Sequence, residues 1–141
     1  MTPDPLALAR LYAACFPDSR PWSVEEFAEF LTDPKTVFSG DETAFALGRC
    51  VLDEAELLTL VVAPSARRQG AGRTNLQAFE TLATARGAQT AFLEVAADNA
   101  AAIALYQTAG YRESGRRKGY YARTSGPKVD AVTMLKLLKR T

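Results

Sequence analysis

The fold of this chain is decided by residues 57–86, LLTLVVAPSARRQGAGRTNLQAFETLATAR. The apolar run over residues 57–62 is typical of a buried strand, and Pro64 ends it. Residues 67–72, RRQGAG, form a basic turn, and apolar residues recur at helical spacing after it. The stretch therefore predicts a strand, a turn and a helix, with the turn at the carboxyl end of the strand.

Two glycines make this turn suitable for binding an anion. Gly70 and Gly72 allow backbone angles that other residues avoid, and neither has a side chain that would keep a ligand away. The first N–H groups of the following helix have no acceptor within the helix and can bind a phosphate. The spacing is neither that of a Walker loop nor Gly-x-Gly-x-x-Gly, the dinucleotide fingerprint. Because similar turns often bind nothing, the remaining sequence has to decide between these two interpretations.

Length and composition predict a single domain over residues 1–141. The chain is 48% hydrophobic and 23% charged, which is enough apolar surface for one core and an ordinary soluble surface. A net charge of +1 gives no general attraction to nucleic acid or to a membrane, so we expect neither as a partner. The N-terminal residues are too few and too rich in proline for a signal peptide, and no apolar run is long enough to span a membrane.

The residue types exclude several kinds of chemistry. The sequence contains no histidine, so Ser-His and Cys-His nucleophilic mechanisms are ruled out and a metal site is not expected. Cys15 and Cys50 do not have the spacing of metal ligands. We therefore expect reduced, buried thiols in a cytoplasmic protein.

The first part of the chain predicts two helices. Apolar residues at helical spacing predict the first over about residues 5–15. Ser23 and Glu26 have the spacing of a capping box, and Trp22 and Phe27 that of a hydrophobic staple. A second helix is therefore expected from Ser23 to about residue 31. The helix pair is a candidate wall for a substrate groove, and packing is the alternative role of its residues.

The rest of the chain predicts alternating strands and helices. The expected strands are residues 36–38, 43–52, 56–62, 90–95, 111–114 and 130–137. The first three should form an antiparallel meander, and the fourth should be parallel to the third because a helix with Leu76, Phe79 and Leu82 on its inner face separates them. A last helix, residues 100–108, should be capped by Asp98 or Asn99. This order predicts a mixed sheet with helices on both faces, and a loop at residues 116–128.

Four blocks of the sequence resemble the GNAT N-acetyltransferase superfamily, and within it the bacterial ribosomal-protein-alanine N-acetyltransferase branch. They are LDEAELLTLVV (52–62), RRQGAGR (67–73), FLEVAADNAAAIALYQTAGY (92–111) and RRKGYY (116–121) followed by DAVTML (130–135). The resemblance implies the GNAT fold, of the α/β (α+β) class, with a mixed, mostly antiparallel central sheet. The family normally opens with a strand before the first helix, whereas this chain opens within the helix, so we expect that strand to be missing.

The resemblance also implies acetyl-CoA as cosubstrate. The pyrophosphate would bind at the glycine turn, and the pantetheine would lie along the end of the preceding strand, where that strand splays from its neighbour. Asn99 would bond the pantetheine, or serve only as a helix cap, and the backbone N–H of Val62 would contact the thioester oxygen. The cofactor-binding residues implied are Leu60, Val61, Val62, Arg67, Arg68, Gln69, Gly70, Ala71, Gly72, Arg73 and Asn99.

The resemblance assigns the general base to Glu94 and the general acid to Tyr106. Glu94 lies in an apolar strand pattern, where a carboxylate is costly without a task or a partner, so pairing with an arginine is the alternative. Tyr106 is a phenol that stays protonated at neutral pH, and packing is its alternative role. Glu56 is a rival base, because many members of the superfamily place theirs on the strand before the loop.

Tyr120 and Tyr121 follow a basic segment and, by the resemblance, border the groove for the acceptor. The implied acceptor is a protein N-terminus, that of the N-terminal alanine of a small-subunit ribosomal protein. An α-amine has a lower pKa than lysine, which favours it as a nucleophile. A small amine or an antibiotic is the alternative acceptor, and an acyl-CoA sensor without catalysis is a further alternative. We expect a monomer or a weak homodimer.

Overall fold

The computed structural model describes residues 3–18, 20–123 and 126–138. Within these ranges the helices are α1 Pro5–Cys15, α2 Val24–Thr32, α3 Ala71–Ala85 and α4 Ala100–Thr108. The strands are β1 Thr36–Gly40, β2 Ala44–Val51, β3 Glu54–Val62, β4 Thr90–Ala96, β5 Arg112–Tyr121 and β6 Val129–Leu137. The predicted order of helices and strands is confirmed, and α1 has the predicted bounds.

The strands form one sheet in the order β1-β2-β3-β4-β6-β5. Only β3 and β4 are parallel among its neighbouring pairs, which agrees with the helical crossover of α3 between them. The sheet is therefore mixed and mostly antiparallel, as the family resemblance implies.

Two cores lie on opposite faces of the sheet. One core contains Ala46 of β2 together with Leu76 and Phe79 of α3, while the other contains Phe45 and Leu47 of β2 together with residues of α1 and α2. Successive side chains of a strand point to opposite faces, so β2 contributes to both cores. The prediction of helices on both faces is confirmed.

The start of α2 follows the predicted signals. The Ser23 hydroxyl accepts from the backbone N–H of Glu26 at 3.1 Å, and the Glu26 carboxylate accepts from the N–H of Ser23 at 3.0 Å. The rings of Trp22 and Phe27 lie 5.7 Å apart, as in a hydrophobic staple. This cap fixes the direction in which the chain enters α2 and so places Trp22 beside α1.

Two predictions about secondary structure were wrong. Leu82 is 42% exposed, and the inner face of α3 uses Ala83 instead, because a helix returns to the same face after seven residues rather than six. Residues 116–121 continue β5 instead of forming a loop. Their pairing with β6, for example of Arg117 with Ala131, stabilises a strand that the local sequence does not favour.

Candidate active site

A cleft opens where β3 and β4 separate. The two strands pair only from Glu54 with Thr90 to Leu57 with Leu93. At this point β3 contains one extra residue, Leu58, because its register with β2 shifts there. Such a bulge bends the strand and increases its twist, which turns the second half of β3 away from β4. The splay that the resemblance implies is therefore present, and its cause is a bulge.

The separated half of β3 directs backbone groups into the gap. The N–H of Ala63 donates to the carbonyl of Thr43 at 2.7 Å, so the neighbouring pair of Val62 and Ala44 is of the type without mutual hydrogen bonds. By this alternation Val62 and Leu60 point their N–H and C=O groups away from β2, toward β4. The C=O of Val62 already accepts from Arg67 Nε at 3.3 Å and from the Cys15 thiol at 3.4 Å. The N–H of Val62 and both backbone groups of Leu60 can therefore pair with an extended ligand as an added strand would.

The turn after β3 leaves the start of α3 without a side-chain cap. Gly70, the N-cap residue, has a φ of 77°, and no side chain accepts from the first turn of the helix. Thr74 makes the first helical bond, to the Gly70 carbonyl, so the N–H groups of residues 71–73 have no acceptor within the helix. Arg68 and Arg73 are exposed near these groups in sequence and add positive charge. The turn fits a pyrophosphate by both donors and charge.

Gly72 faces the space between α3, β3 and α4. A Cβ atom built there would lie 3.5 Å from Leu105, 3.6 Å from Val62 and 3.9 Å from Leu60. These are ordinary contact distances, so the fold tolerates a Cβ atom at this position. A larger side chain would extend into the passage between the glycine turn and the end of β3, where the resemblance implies that the cofactor binds.

Replacing Gly72 by Val is therefore expected to weaken acetyl-CoA binding by tenfold or more while the protein stays folded, since valine removes no packing contact and occupies the passage. Titration calorimetry with acetyl-CoA, beside a thermal melt, measures both properties. Gly115→Val is the matched control, because a Cβ there meets only Thr133, at 4.0 Å, on the outer strand β5. Normal acetyl-CoA affinity in Gly72→Val would rule out the assignment of the turn.

The cleft has a volume of about 260 Å³ and extends from the gap to the aromatic residues of α1. It is lined by Tyr12, Phe16, Trp22, Leu57, Leu58, Thr59, Leu60, Leu93, Glu94, Val95, Ala96, Asn99, Ala102, Tyr106, Tyr121 and Arg123. Both proposed catalytic residues, Glu94 and Tyr106, are among them.

The remaining predicted site residues lie around this cleft. Leu60, Asn99 and Tyr121 line it, whereas the side chain of Val61 is buried in the core below α1 and α2. Residues 67–73 lie at the start of α3, outside the lining of the cleft.

The carboxylate of Glu94 is mostly buried beside a single cation. Its side chain is 20% exposed, and Arg117 Nε lies 3.1 Å from Oε2. That oxygen is buried and has no hydrogen-bond partner among the described residues, because the guanidinium is close but not aligned to donate. The arginine pairing considered from the sequence is therefore real. It coexists with the position of Glu94 on the cleft wall.

Tyr106 is 6% exposed and packs its ring 5.9 Å from that of Tyr111. Burial raises the pKa of the Tyr106 hydroxyl well above its usual range, and nearby Tyr121 raises it further. The phenol is therefore protonated at any working pH. Tyr106 therefore packs against Tyr111 and also lines the cleft.

Asn99 and Tyr121 use their polar atoms in specific contacts. Asn99 is the N-cap of α4, and its Oδ1 accepts from the N–H of Ala102 at 3.2 Å. The hydroxyl of Tyr121 donates to the backbone carbonyl of Glu94 at 3.3 Å. The splay removes β3 as a partner for that carbonyl, so Tyr121 replaces the missing strand contact.

Tyr120 differs from its neighbour, since it is 49% exposed and does not line the cleft. Its ring lies 4.7 Å from the guanidinium of Arg117. Glu56, the rival base, pairs with Arg49 at 3.0 Å and is also absent from the cleft lining. The geometry therefore favours Glu94 over Glu56 as the general base.

Several residues of the cleft were not named individually from the sequence, which indicated only that the pair of N-terminal helices is a candidate wall of a substrate groove. Tyr12 and Trp22 stack with ring centroids 4.8 Å apart and form the wall of the cleft opposite β4. Arg123 lines the cleft and pairs with Asp98 at 2.9 Å. The aromatic residues of the first two helices were the available signal for this wall, but their spacing is equally that of core residues.

Among the described residues, no group of three or more Cys, Asp or Glu side chains is placed to hold a metal ion. In the same part of the chain, every helix is too short or too polar to cross a bilayer.

Comparison with known proteins identifies the family. Residues 6–111 match the model of the acetyltransferase (GNAT) family. The chain is 42% identical over 118 residues to the [ribosomal protein bS18]-alanine N-acetyltransferase of Escherichia coli K12, covering 81% of this chain and 79% of that protein. It is 36% identical to the N-alpha-acetyltransferase RimI of Mycobacterium tuberculosis, covering 93% of this chain and 85% of the other.

A solved structure agrees with these relatives. The crystal structure of the ribosomal-protein-S18-alanine N-acetyltransferase from Escherichia coli superimposes with a TM-score of 0.85 and 34% identity, covering 98% of this chain and 90% of that one. The chain is thus an acetyl-CoA-dependent N-acetyltransferase. The chain belongs to the acetyltransferase (GNAT) family, and within it is similar to the RimI-type ribosomal-protein-alanine N-acetyltransferases.

Proposed function

We propose that this enzyme acetylates protein N-terminal α-amines, and that its acceptor is the N-terminal alanine of a small-subunit ribosomal protein. The names of the relatives support this acceptor, since the Escherichia coli protein acts on the alanine of bS18.

We also propose that the chain is one domain that works in the cytoplasm as a monomer or weak homodimer, without direct contact to membrane or nucleic acid.

One observation carries the proposed mechanism. Glu94 on β4 and Tyr106 on α4 line the same cleft, at the point where β3 turns its backbone groups of Leu60 and Val62 toward β4. A base and an acid on one cleft, beside main-chain donors, are the groups that acyl transfer to an amine requires.

In the proposed reaction acetyl-CoA supplies an acetyl thioester, and the residues of the chain handle the protons. Glu94 accepts a proton from the acceptor amine, directly or through a water molecule, as the new N–C bond forms. The N–H of Val62 donates to the thioester oxygen. Tyr106 donates its proton to the sulfur as the C–S bond breaks, and proton exchange with solvent restores both side chains. No acyl-enzyme is formed, since the amine attacks the thioester directly.

The charge of the cleft favours a single amine over a polycation. Among the described residues that line it, Glu94 is the only carboxylate, while Arg123 is a cation. A polyamine or an aminoglycoside carries several positive charges and would find one negative partner. The α-amine of a peptide carries a single charge, which matches the single carboxylate among the described lining residues.

Acetylation of synthetic peptides tests the acceptor. A peptide that begins with alanine and contains an internal lysine is expected to gain one acetyl group at its N-terminus, located by tandem mass spectrometry. The same peptide with a formylated N-terminus is the control and should remain unmodified. Spermidine and an aminoglycoside are tested in parallel. Faster turnover of either small amine than of the alanine peptide would overturn the proposed acceptor.

The cellular substrate is found by comparing protein N-termini from cells with and without the gene. Loss of N-terminal acetylation from a small-subunit ribosomal protein that begins with alanine is the expected result. An unchanged set of ribosomal N-termini would contradict that part of the proposal.

A further inference from the structure

Arg117 makes contacts that set it apart from the other basic residues of β5. Its Nε lies 3.1 Å from Oε2 of Glu94, and its guanidinium lies over the ring of Tyr120 at 4.7 Å. The adjacent Arg116 has different partners, Glu113 and Asp130, each at 3.7 Å. Neighbouring residues of a strand point to opposite sides, so Arg117 reaches the carboxylate of Glu94 and Arg116 does not.

The other titratable groups facing Glu94 carry no charge over the working pH range. Burial raises the pKa of Tyr12 on α1 and takes that of Tyr106 on α4 well above the usual range. Burial, together with the charge of Glu94, raises the pKa of Tyr121 on β5 to about 12. Among the described cleft residues these hydroxyls are therefore neutral between about pH 6 and pH 10.

The cation among the described residues that line the cleft is already neutralised. Arg123, beyond the end of β5, pairs with Asp98 at 2.9 Å, and its side chain is 14% exposed. The parts of β3 and β4 that line the cleft contribute no charged side chain other than Glu94. The charge at the acceptor position is consequently set by Glu94 and Arg117 together.

The combined charge of Glu94 and Arg117 matters because the acceptor amine must lose a proton before it attacks. An α-amine, with a pKa near 8, is mostly an ammonium ion at neutral pH. A mostly buried carboxylate without a cation beside it would bind the ammonium tightly and raise its pKa, which favours the unreactive form. A guanidinium next to that carboxylate opposes this effect.

We propose that Arg117 is a positioning residue for the acetyl transfer: acting through Glu94, its guanidinium keeps the charge beside the acceptor close to zero, so that the N-terminal amine stays neutral and nucleophilic. This inference rests on the proposed role of Glu94 as base. Tyr120 supports it from outside the cleft, because its ring holds the guanidinium in place.

The pH dependence of kcat in Arg117→Gln tests this role. With the alanine peptide at saturation, the acidic side of the kcat–pH profile is expected to shift to higher pH by about one unit, because one nearby charge is lost. At pH 7 kcat should therefore fall about tenfold. KM for the peptide should stay the same or fall. Arg117→Lys keeps the charge, so its kcat–pH profile should have the acidic side at the wild-type position. An Arg117→Gln profile whose acidic side stays in place, or a rise in KM without loss of kcat, would overturn the inference.

An acceptor with a less basic amine separates this effect from a change in the base itself. A peptide that begins with 3,3,3-trifluoroalanine has an amine that is already neutral at pH 7. Arg117→Gln should therefore lower kcat with this peptide by less than twofold, against about tenfold with the alanine peptide. Equal losses with both peptides would contradict the proposal. Arg116→Gln is the matched control on the same strand and should keep the wild-type profile with both.

The inference can fail while the proposed function stands. If Glu94→Gln is inactive and Arg117→Gln has the wild-type kcat–pH profile, only the role of Arg117 is lost. If Glu94→Gln retains full turnover, the proposed mechanism fails first, and the inference with it. A thermal melt of each variant distinguishes loss of folding from loss of rate, and the exposed position of Arg117 favours a folded variant.

Discussion

The Glu94→Gln variant is expected to lose about 10²–10⁴-fold in kcat and to keep its affinity for acetyl-CoA within about twofold. Glutamine has the shape of glutamate but cannot accept the proton of the acceptor amine. The glycine turn and the backbone of β3, which are proposed to bind the cofactor, are unaffected by the change. Steady-state rates with the alanine peptide, beside calorimetric titration with acetyl-CoA, measure the two quantities.

The matched control for this variant is Glu56→Gln. Glu56 has the same chemistry and lies on the neighbouring strand, but it pairs with Arg49 and lies outside the cleft lining. It should therefore retain the wild-type kcat. The opposite result, an inactive Glu56→Gln and an active Glu94→Gln, would move the base to β3. If neither change affects turnover, the enzyme uses no carboxylate base in this cleft.

Tyr106→Phe is expected to lower kcat by about 10²-fold or more, because phenylalanine keeps the packing against Tyr111 and removes only the proton donor. The raised pKa of Tyr106 has a second consequence. Its hydroxyl remains protonated through the alkaline range, so the wild-type rate should not fall up to about pH 10 because of this group. A pH series of kcat for both proteins measures these effects.

Tyr111→Phe provides the control for a lost tyrosine hydroxyl. Tyr111 is buried beside Tyr106, but its hydroxyl donates to Glu80 at 2.9 Å, away from the cleft. Removing this bond is expected to lower the free energy of unfolding by about 1 kcal/mol and to leave kcat unchanged. If Tyr106→Phe behaves in the same way, with lower stability and a normal rate, Tyr106 is a packing residue only.

Much of the fold could be predicted from the sequence because its signals are local. The capping box of Ser23 and Glu26 involves atoms a few residues apart, and the apolar pattern that predicts β4 is a property of six consecutive residues, 90–95. The prediction failed where pairing with a distant strand overrides local preference. Residues 116–121 are basic and contain Gly119, yet their ladder with β6 makes them a strand.

The candidate site was predicted unevenly for a similar reason. Glu94 and Tyr106 were named through the family resemblance, since each lies in a recognisable block of sequence. Tyr12 and Trp22 were not named individually as cleft residues, and Arg117 was not named as the partner of Glu94, because these contacts depend on strand register and helix packing rather than on spacing along the chain.

The sequence by itself determined the order of the elements, the family and the uncapped glycine turn before α3, because each depends on residues that are close neighbours in the chain. Only the tertiary structure decided that β3 leaves β4 after Leu57, and that Glu94 therefore opens onto a cleft beside Arg117. The physical reason is that a one-residue bulge at Leu58 changes the course of β3 relative to its partners. Residues 57–62 show no local mark of that bulge, which exists only once β2 and β4 are paired on either side.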